Sequence, residues 1–330
     1  MTRATVARAV VIGAGSWGAA IATALNRAGQ QTMVLARRQE SVDALAMGRC
    51  LQLPGSAPAA PIAATLDPVC LEDAELIFVA VPVVANQASF MMIAERQKNH
   101  PPAVVSLCAK GIGKADDGSA MLLTDLASRL LPDHPLVVFS GPSFADEVFA
   151  ELPAALVAAS DDLATAKRIQ DAFEGSNLRL YSNDDPVGVA LAGAMKNVIA
   201  IAAGCAVGAG FGDNAKAAIL TRGLAEIARF ASLMGAKPDT IFGLAGVGDL
   251  ALTCAGPHSR NMAFGMALGR GEAPPAKLAE GSRTVAQLAE LAKAKGVDLP
   301  ITNAVDNLVN DGQNLHAVVA SLLARRAGAE

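Results

Sequence analysis

The fold of this chain is decided by the stretch Val10-Val11-Ile12-Gly13-Ala14-Gly15-Ser16-Trp17-Gly18. An apolar run ends on Gly13, an amphipathic stretch opens before Gly18, and a second apolar run follows about 20 residues later. Glycines at this spacing allow a tight turn and let backbone N–H groups approach a pyrophosphate at the positive end of a helix. The intact G-x-G-x-x-G therefore predicts a dinucleotide-binding unit. A nucleophile elbow at Ser16 would need a glycine where Ala14 stands.

Short apolar runs alternate with amphipathic stretches from this motif to Tyr181. The candidate strands are Val10–Ile12, Thr32–Leu35, Leu76–Val81, Ala103–Cys108, Leu136–Ser140, Ala154–Ala159 and Leu178–Tyr181. The candidate helices between them are Ser16–Ala28, Val84–Gln97, Ser119–Leu131 and Leu163–Phe173. Strands that are apolar throughout and alternate with helices predict a doubly wound α/β domain with a mostly parallel sheet.

The pattern changes to a purely helical period from about Asp184. Predicted helices cover 187–207, 214–234, 260–269, 282–295, 301–309 and 314–325. A turn-rich segment, Ser182–Pro186, separates the two patterns. We therefore predict a Rossmann domain at 1–183 followed by an all-α domain at 184–330.

Composition excludes several classes of protein. The 330 residues carry a net charge of −4 with scattered basic residues, which argues against nucleic-acid binding. Five widely spaced cysteines without a C-x-x-C pair predict a reducing, cytoplasmic compartment, and no His or Cys spacing predicts a metal. The apolar stretch Val187–Gly210 is long enough to span a membrane, but its central Lys196 costs about as much as its aliphatic residues gain. We expect a buried helix instead.

Cofactor choice is indicated by Arg37 and Arg38, which follow the second predicted strand. An NAD site usually places an acidic residue there, whereas guanidinium groups suit a 2′-phosphate. The pair favours NADP(H), with NAD(H) as the second candidate because Glu40 lies close by. A solvated arginine pair that opens the next helix remains the alternative.

Polar residues follow three other strands, where ligands of open parallel sheets bind. They are Lys110-Gly111, the loop Ser140–Ala145, and Asn86. Each of them also fits ordinary turn or cap chemistry.

The helical half holds further candidates. Burial would lower the pKa of Lys196 and suit it to transfer a proton to a carbonyl oxygen. The alternative, a structural lysine that extends its ammonium group to the surface, remains open. Asp249 is a second polar candidate, with a helix cap as its alternative. Ser259 is a good N-cap for a helix beginning at Arg260, so N–H groups and a guanidinium converge on a phosphate-type site.

The sequence is similar to the bacterial-type NAD(P)-dependent glycerol-3-phosphate dehydrogenases over nearly its whole length. The motifs that carry the resemblance, in order, are GAGSWG (13–18), LPG (53–55), AKGI (109–112), SGPSFADEV (140–148), MKNVIAIAAG (195–204), TRGLAEI (221–227), GVGDL (246–250), SRN (259–261) and EG (280–281). Several motifs at matching spacing are far more specific than one glycine pattern.

The resemblance implies a role for each matching residue. Lys196 would be the catalytic proton donor and acceptor. The glycerol-phosphate site would be lined by Lys110, Gly141, Ser143, Lys196, Asp249, Ser259, Arg260 and Asn261. Besides Gly13, Gly15 and Gly18, the cofactor would contact Ser16, Trp17, Arg37, Arg38, Lys110, Ala145, Arg260, Leu278 and Glu280.

The implied reaction is hydride transfer between a nicotinamide and C2 of dihydroxyacetone phosphate, which gives sn-glycerol 3-phosphate for phospholipid synthesis. The resemblance also implies an active site in the cleft between the two domains and a homodimer. One alternative is a related β-hydroxyacid or 6-phosphogluconate-type dehydrogenase. Another is a redox sensor that binds NADP(H) without turnover, which would have no need of Lys196 or of 259–261.

Overall fold

Two structural units make up the chain, of which a computed structural model describes residues 6–275, 279–315, 317 and 318. The first unit holds the chain up to Ala109 together with Leu123–Val189. The second holds Lys110–Leu122 together with the chain from Ala190 onward. The boundary between residues 183 and 184 stays a prediction.

Ten strands and thirteen α-helices lie in the described residues. The strands are β1 Arg8–Ile12, β2 Gln31–Leu35, β3 Ala64–Thr65, β4 Leu76–Val79, β5 Val104–Leu107, β6 Ile112–Lys114, β7 Ala120–Leu122, β8 Leu136–Ser140, β9 Ala154–Ala159 and β10 Leu178–Asn183. The helices are α1 Ser16–Arg27, α2 Gln39–Ala46, α3 Asn86–Arg96, α4 Leu123–Leu130, α5 Ala145–Phe149, α6 Leu163–Ala172, α7 Pro186–Gly208, α8 Gly212–Leu233, α9 Pro238–Phe242, α10 Asp249–Thr253, α11 Arg260–Gly269, α12 Glu280–Ala294 and α13 Pro300–Val309.

The first unit is built on an eight-stranded sheet in the order β10-β9-β8-β5-β4-β1-β2-β3. Neighbouring strands are parallel except for the antiparallel pair β8 and β9. The predicted Rossmann-type, mostly parallel sheet is therefore confirmed. β4 and β5 are buried along their whole length, as the continuous apolar runs predicted.

The register of the central strands brings the functional loops to one edge of the sheet. Ile12 at the end of β1 pairs with Leu35 in β2 and with Val79 in β4, and Val79 pairs with Leu107 in β5. The loops that follow these parallel strands therefore begin at the same level.

One predicted helix begins differently in the structure. The helix predicted over Ser119–Leu131 starts only at Leu123, because β7 pairs with β6 in an antiparallel hairpin. Gly118 turns that hairpin with φ +85°, and the N–H of Ala115 donates to the carbonyl of Ser119 at 2.9 Å. Five further short elements were not predicted from the sequence: β3, α2, α5, α9 and α10. The predicted helix at 314–325 lies almost wholly outside the described residues.

The longest helix of the second unit is α7, which carries Lys196. It is long and apolar enough to cross a membrane, but 89% of its most apolar window is buried inside the protein. This burial favours the predicted core helix over a membrane span.

Glycines let α7 and α11 approach each other at backbone distance. A Cβ added at Gly265 in α11 would lie 2.9 Å from the carbonyl carbon of Ile201 and 3.0 Å from the amide nitrogen of Cys205, both in α7. Gly204 and Gly208 in α7 face the backbone of α11 in the same way. Small residues at these positions therefore fix the distance between the two helices.

We expect Gly265→Val to lower the free energy of unfolding by about 1–3 kcal/mol, because the side chain must push the two backbones apart. Denaturant unfolding measures this. Gly256→Ala is the control, since nothing lies within 4 Å of a Cβ added there. An unchanged midpoint for Gly265→Val would show that the contact does not fix the packing.

Candidate functional site

The glycine loop of the first unit forms a cradle at the start of α1 from Gly13, Gly15 and Gly18. Gly13 has φ +111°, and a Cβ there would lie 2.6 Å from the carbonyl oxygen of Ala80, so only glycine fits. Gly18 packs against the backbone of Gly13 just as closely. Gly15 is the N-cap of α1, and nothing lies within 4 Å of a Cβ added to it. The first turn of α1 has no acidic residue that would compete for its N–H groups. The open space and the positive end of the helix dipole therefore suit a pyrophosphate.

Ser16 and Trp17 are the first two residues of α1. The Trp17 ring is half-buried and packs on Phe139 with a centroid distance of 6.2 Å. Trp17 thus borders the glycine loop and also anchors it to the core through the contact with Phe139.

Arg37 and Arg38 lie just beyond β2, and both are exposed. Arg38 is the N-cap of α2, whose first turn contains Glu40. Among the described residues, no carboxylate forms an ion pair with either guanidinium. The pair is therefore available to a ligand at the edge of the sheet.

The loop after β8 brings three predicted residues together. Gly141 has φ +139°, and a Cβ there would lie 3.0 Å from Cα of Leu156. The Ser143 hydroxyl donates to the carbonyl of Gly141 at 3.0 Å, and Ala145 begins α5. Asn86, by contrast, is buried and its amide donates to the carbonyl of Pro82 at 3.0 Å, which is turn chemistry.

The centre of the candidate site in the second unit is the carboxylate of Asp249. One of its oxygens accepts a hydrogen bond from the Lys196 ammonium, and the other accepts one from Lys110 at 2.7 Å. Lys196 also donates to the Thr253 hydroxyl at 2.7 Å. Asp249 is 1% exposed and Lys196 6%. Lys196 therefore points to a buried partner, and the alternative of a lysine that reaches the surface is wrong.

The electrostatics of this cluster shift both pKa values downward. Burial and the like charge of Lys110 lower the pKa of Lys196 from 10.5 to about 8, against the opposing effect of the Asp249 and Glu280 carboxylates. Burial alone would raise the pKa of Asp249, but the two ammonium groups outweigh it and lower that pKa. At neutral pH the cluster holds two positive charges and one negative charge.

Thr253 is a member of the cluster that sequence analysis missed. Its hydroxyl accepts from Lys196 and donates to the backbone carbonyl of Asp249 at 2.6 Å. Residues four apart on a helix share a face, so the D-x-x-x-T spacing was a signal that could have revealed it. Asp249 is the first residue of α10, and the two lysines, rather than a helix cap, use its carboxylate.

A chain of amide hydrogen bonds extends from this cluster. The Asn197 amide donates to the carbonyl of Lys110 at 3.3 Å, and the Asn261 amide donates to Asn197 Oδ1 at 2.9 Å. The N–H of Gly281 donates to Asn261 Oδ1 at 2.9 Å. These bonds join α7, α11 and the start of α12 to the backbone of Lys110.

The start of α11 has the geometry predicted for it. The Ser259 hydroxyl accepts from the N–H of Met262 at 3.3 Å, and Arg260 is exposed as the first residue of the helix. Glu280 is the first residue of α12, and Leu278 lies outside the described residues.

The second unit thus brings Lys110, Lys196, Asp249 and Asn261 into one bonded network. The first unit holds the glycine loop, the arginine pair, and the Gly141–Ala145 loop. Within the described residues, no group of three or more His, Cys, Asp or Glu side chains could hold a metal ion. The absence of a metal from the reaction stays a prediction.

Comparisons with known proteins match the chain in both halves. Residues 8–166 match the family model described as NAD-dependent glycerol-3-phosphate dehydrogenase N-terminus, and residues 185–320 match the model of its C-terminus. A glycerol-3-phosphate dehydrogenase (NAD(P)+) of Mesorhizobium japonicum is 41% identical over 321 residues, which cover 96% of this chain and 92% of that protein. A relative of the same name from Chelativorans sp. is also 41% identical, with 96% of each chain covered.

Solved structures agree with these matches. The crystal structure of glycerol-3-phosphate dehydrogenase from Coxiella burnetii superimposes with a TM-score of 0.88 at 34% identity, covering 96% of this chain and 98% of that one. A ketopantoate reductase from Ralstonia eutropha matches with a TM-score of 0.60 at 17% identity, covering 96% of this chain and 99% of that one. This second likeness concerns the fold alone.

Proposed function

Because the chain belongs to the NAD-dependent glycerol-3-phosphate dehydrogenase family, we propose that Lys196 is the proton donor and acceptor of its reaction. The enzyme interconverts dihydroxyacetone phosphate and sn-glycerol 3-phosphate with NADP(H) or NAD(H), and this reaction usually supplies phospholipid synthesis. The observation that carries the proposal for Lys196 is its buried ammonium, bonded to Asp249 and Thr253.

The chemistry expected of Lys196 follows from its surroundings. With a pKa of about 8, its ammonium gives up a proton near neutral pH far more readily than an exposed lysine does. In reduction it would donate that proton to the C2 oxygen of the substrate, and in oxidation it would take the proton back. Asp249 and Thr253 would hold the nitrogen in place during both directions.

The substrate phosphate is the second part of the proposal. We assign Lys110, Gly141, Ser143, Asp249, Ser259, Arg260 and Asn261 to the lining of the substrate site. Support comes from the exposed Arg260 at the capped start of α11, where N–H groups and a guanidinium attract a phosphate. The excess positive charge of the Lys110–Asp249–Lys196 cluster favours an anionic substrate in the same way.

When bound, the nicotinamide cofactor supplies or accepts the hydride. We assign its binding to Gly13, Gly15, Gly18, Ser16, Trp17, Arg37, Arg38, Lys110, Ala145, Arg260, Leu278 and Glu280. The glycine cradle suits a pyrophosphate because the space beside Gly15, the N-cap of α1, is open and the first turn of that helix carries no acidic residue. Arg37 and Arg38 are exposed and form no ion pair within the part of the chain that the structure describes, which supports a preference for the 2′-phosphate of NADP(H).

Three broader features complete the proposal. The two structural units and the two family-model matches support separate cofactor and helical substrate domains near the 183/184 boundary. Five free cysteines suit a reducing cytoplasm. The homodimer rests on the family resemblance.

We expect the purified protein to oxidise NADPH much faster with dihydroxyacetone phosphate than with dihydroxyacetone.

We expect Lys196→Met to lower kcat for the phosphorylated substrate by a factor of about 10²–10⁴, the usual contribution of a positioned general acid. NADPH affinity should barely change. Lys293→Met, at an exposed position in α12, is the matched control. Turnover near the wild-type value in Lys196→Met would rule out the proton-transfer role.

Cofactor preference has its own test. Removing charge-assisted hydrogen bonds worth roughly 1.5–3 kcal/mol should raise the KM for NADPH about 10- to 150-fold in Arg37→Ala/Arg38→Ala, and the KM for NADH little. Arg49→Ala removes a nearby exposed arginine as the control. An unchanged ratio of the two KM values in the double variant would refute the assignment.

A further inference from the structure

The turn that leads into Asp249 is π-helical. It covers Leu244–Gly248, between the end of α9 and the start of α10. The N–H of Gly248 donates to the carbonyl of Gly243 at 3.2 Å, five residues back, and the N–H of Asp249 donates to the carbonyls of Gly246 and Leu244, three and five residues back. An α-helical turn would use carbonyls four residues back, so this turn contains one extra residue.

Gly246, in the middle of this turn, permits its close contact with α9. A Cβ at Gly246 would lie 2.5 Å from the carbonyl carbon and 2.8 Å from Cα of Ile241, a distance that real Cβ atoms do not reach. The obstacle is backbone, which cannot swing aside as a flexible side chain can. At Gly243, two residues after Ile241, an added Cβ would lie 3.4 Å from its nearest neighbours, which is an ordinary contact.

The extra residue decides where the Asp249 side chain points. Each residue of an α-helix advances about 100° around the axis, so a turn without the π-type bonds would rotate Asp249 by about that angle. Its carboxylate would then leave the ammonium groups of Lys110 and Lys196. Single π-helical turns occur often at functional sites, where they give a side chain an orientation that an α-helix cannot.

We propose that Gly246 is a positioning residue, whose contact with α9 holds the π-helical turn and thereby directs the Asp249 carboxylate at Lys110 and Lys196. This inference rests on the proposed role of Lys196 in proton transfer. The charged groups that act on Lys196 are Lys110, Asp249 of α10 and Glu280 of α12. Of these, Asp249 is the one whose place depends on the turn.

The test is Gly246→Ala, assayed as kcat for reduction of dihydroxyacetone phosphate against pH. Displacing Asp249 takes a negative charge from Lys196, so the pKa of Lys196 falls further and the ammonium form is lost at lower pH. We expect the alkaline limb of the kcat profile to move to lower pH, and kcat at its optimum to fall on the order of 10²-fold. Gly243→Ala, at the residue just before this turn, should keep the wild-type profile.

Each outcome decides for or against Gly246. A wild-type profile in Gly246→Ala overturns the proposal, and so does a loss of activity with an unmoved pH midpoint, because that result reports only damaged folding. If the variant does not fold, hydrogen exchange of the wild-type enzyme decides. Slow exchange at the amides of Gly248 and Asp249 supports a fixed turn, and exchange as fast as in an open loop overturns it.

The same assay keeps this proposal separate from the proposed function. Full turnover in Lys196→Met would remove the role of Lys196 whatever Gly246→Ala does. Loss of turnover in Lys196→Met together with a wild-type profile in Gly246→Ala would leave the function standing and remove only the positioning role.

Discussion

The second unit depends on one carboxylate that two ammonium groups share. Removing an ion from water costs several kcal/mol even after relaxation, and the two ammonium groups, one buried and one partly buried, also repel each other. Asp249 offsets this cost and repulsion because each of its carboxylate oxygens accepts a hydrogen bond from one lysine. The cluster keeps one net positive charge, so an anionic substrate would complete its neutralisation. The like charge of Lys110, which adds to the effect of burial in lowering the pKa of Lys196, therefore also favours the proposed binding of a phosphate.

The surrounding helices supply what this cluster requires. α7 is apolar enough to keep water from Lys196, and its glycine contacts with α11 bring Asn261 within hydrogen-bond distance of Asn197. The hydrogen bonds of these two amides run in one direction: Asn261 donates to Asn197, and Asn197 donates to the carbonyl of Lys110. Each bond therefore fixes the orientation of the amide that takes part in the next. The packed helices α7, α10 and α11 thus hold Asn197, Asp249 and Asn261 in place.

Much of the fold could be predicted because its signals are local. The glycine loop, the continuous apolar strands and the lysine inside an apolar helix are each visible over a few residues. The hairpin at 112–122 was missed because its strands are three residues long and their pairing overrides the helical pattern of 119–131. Thr253 was missed because the four-residue spacing that links it to Asp249 does not by itself point to its lysine partner, which lies 57 residues away in sequence. The use of Asp249 by lysines rather than as a cap depends on tertiary contacts in the same way.

The most direct test of this account is an NMR titration of the protein labelled with ¹³Cε-lysine. The resonance of Lys196 is the one missing from Lys196→Met, and its shift follows the loss of the ammonium proton. We expect a titration midpoint of about 8 for this resonance. A midpoint near the ordinary 10.5 would contradict the claim that burial beside Lys110 prepares Lys196 for proton transfer.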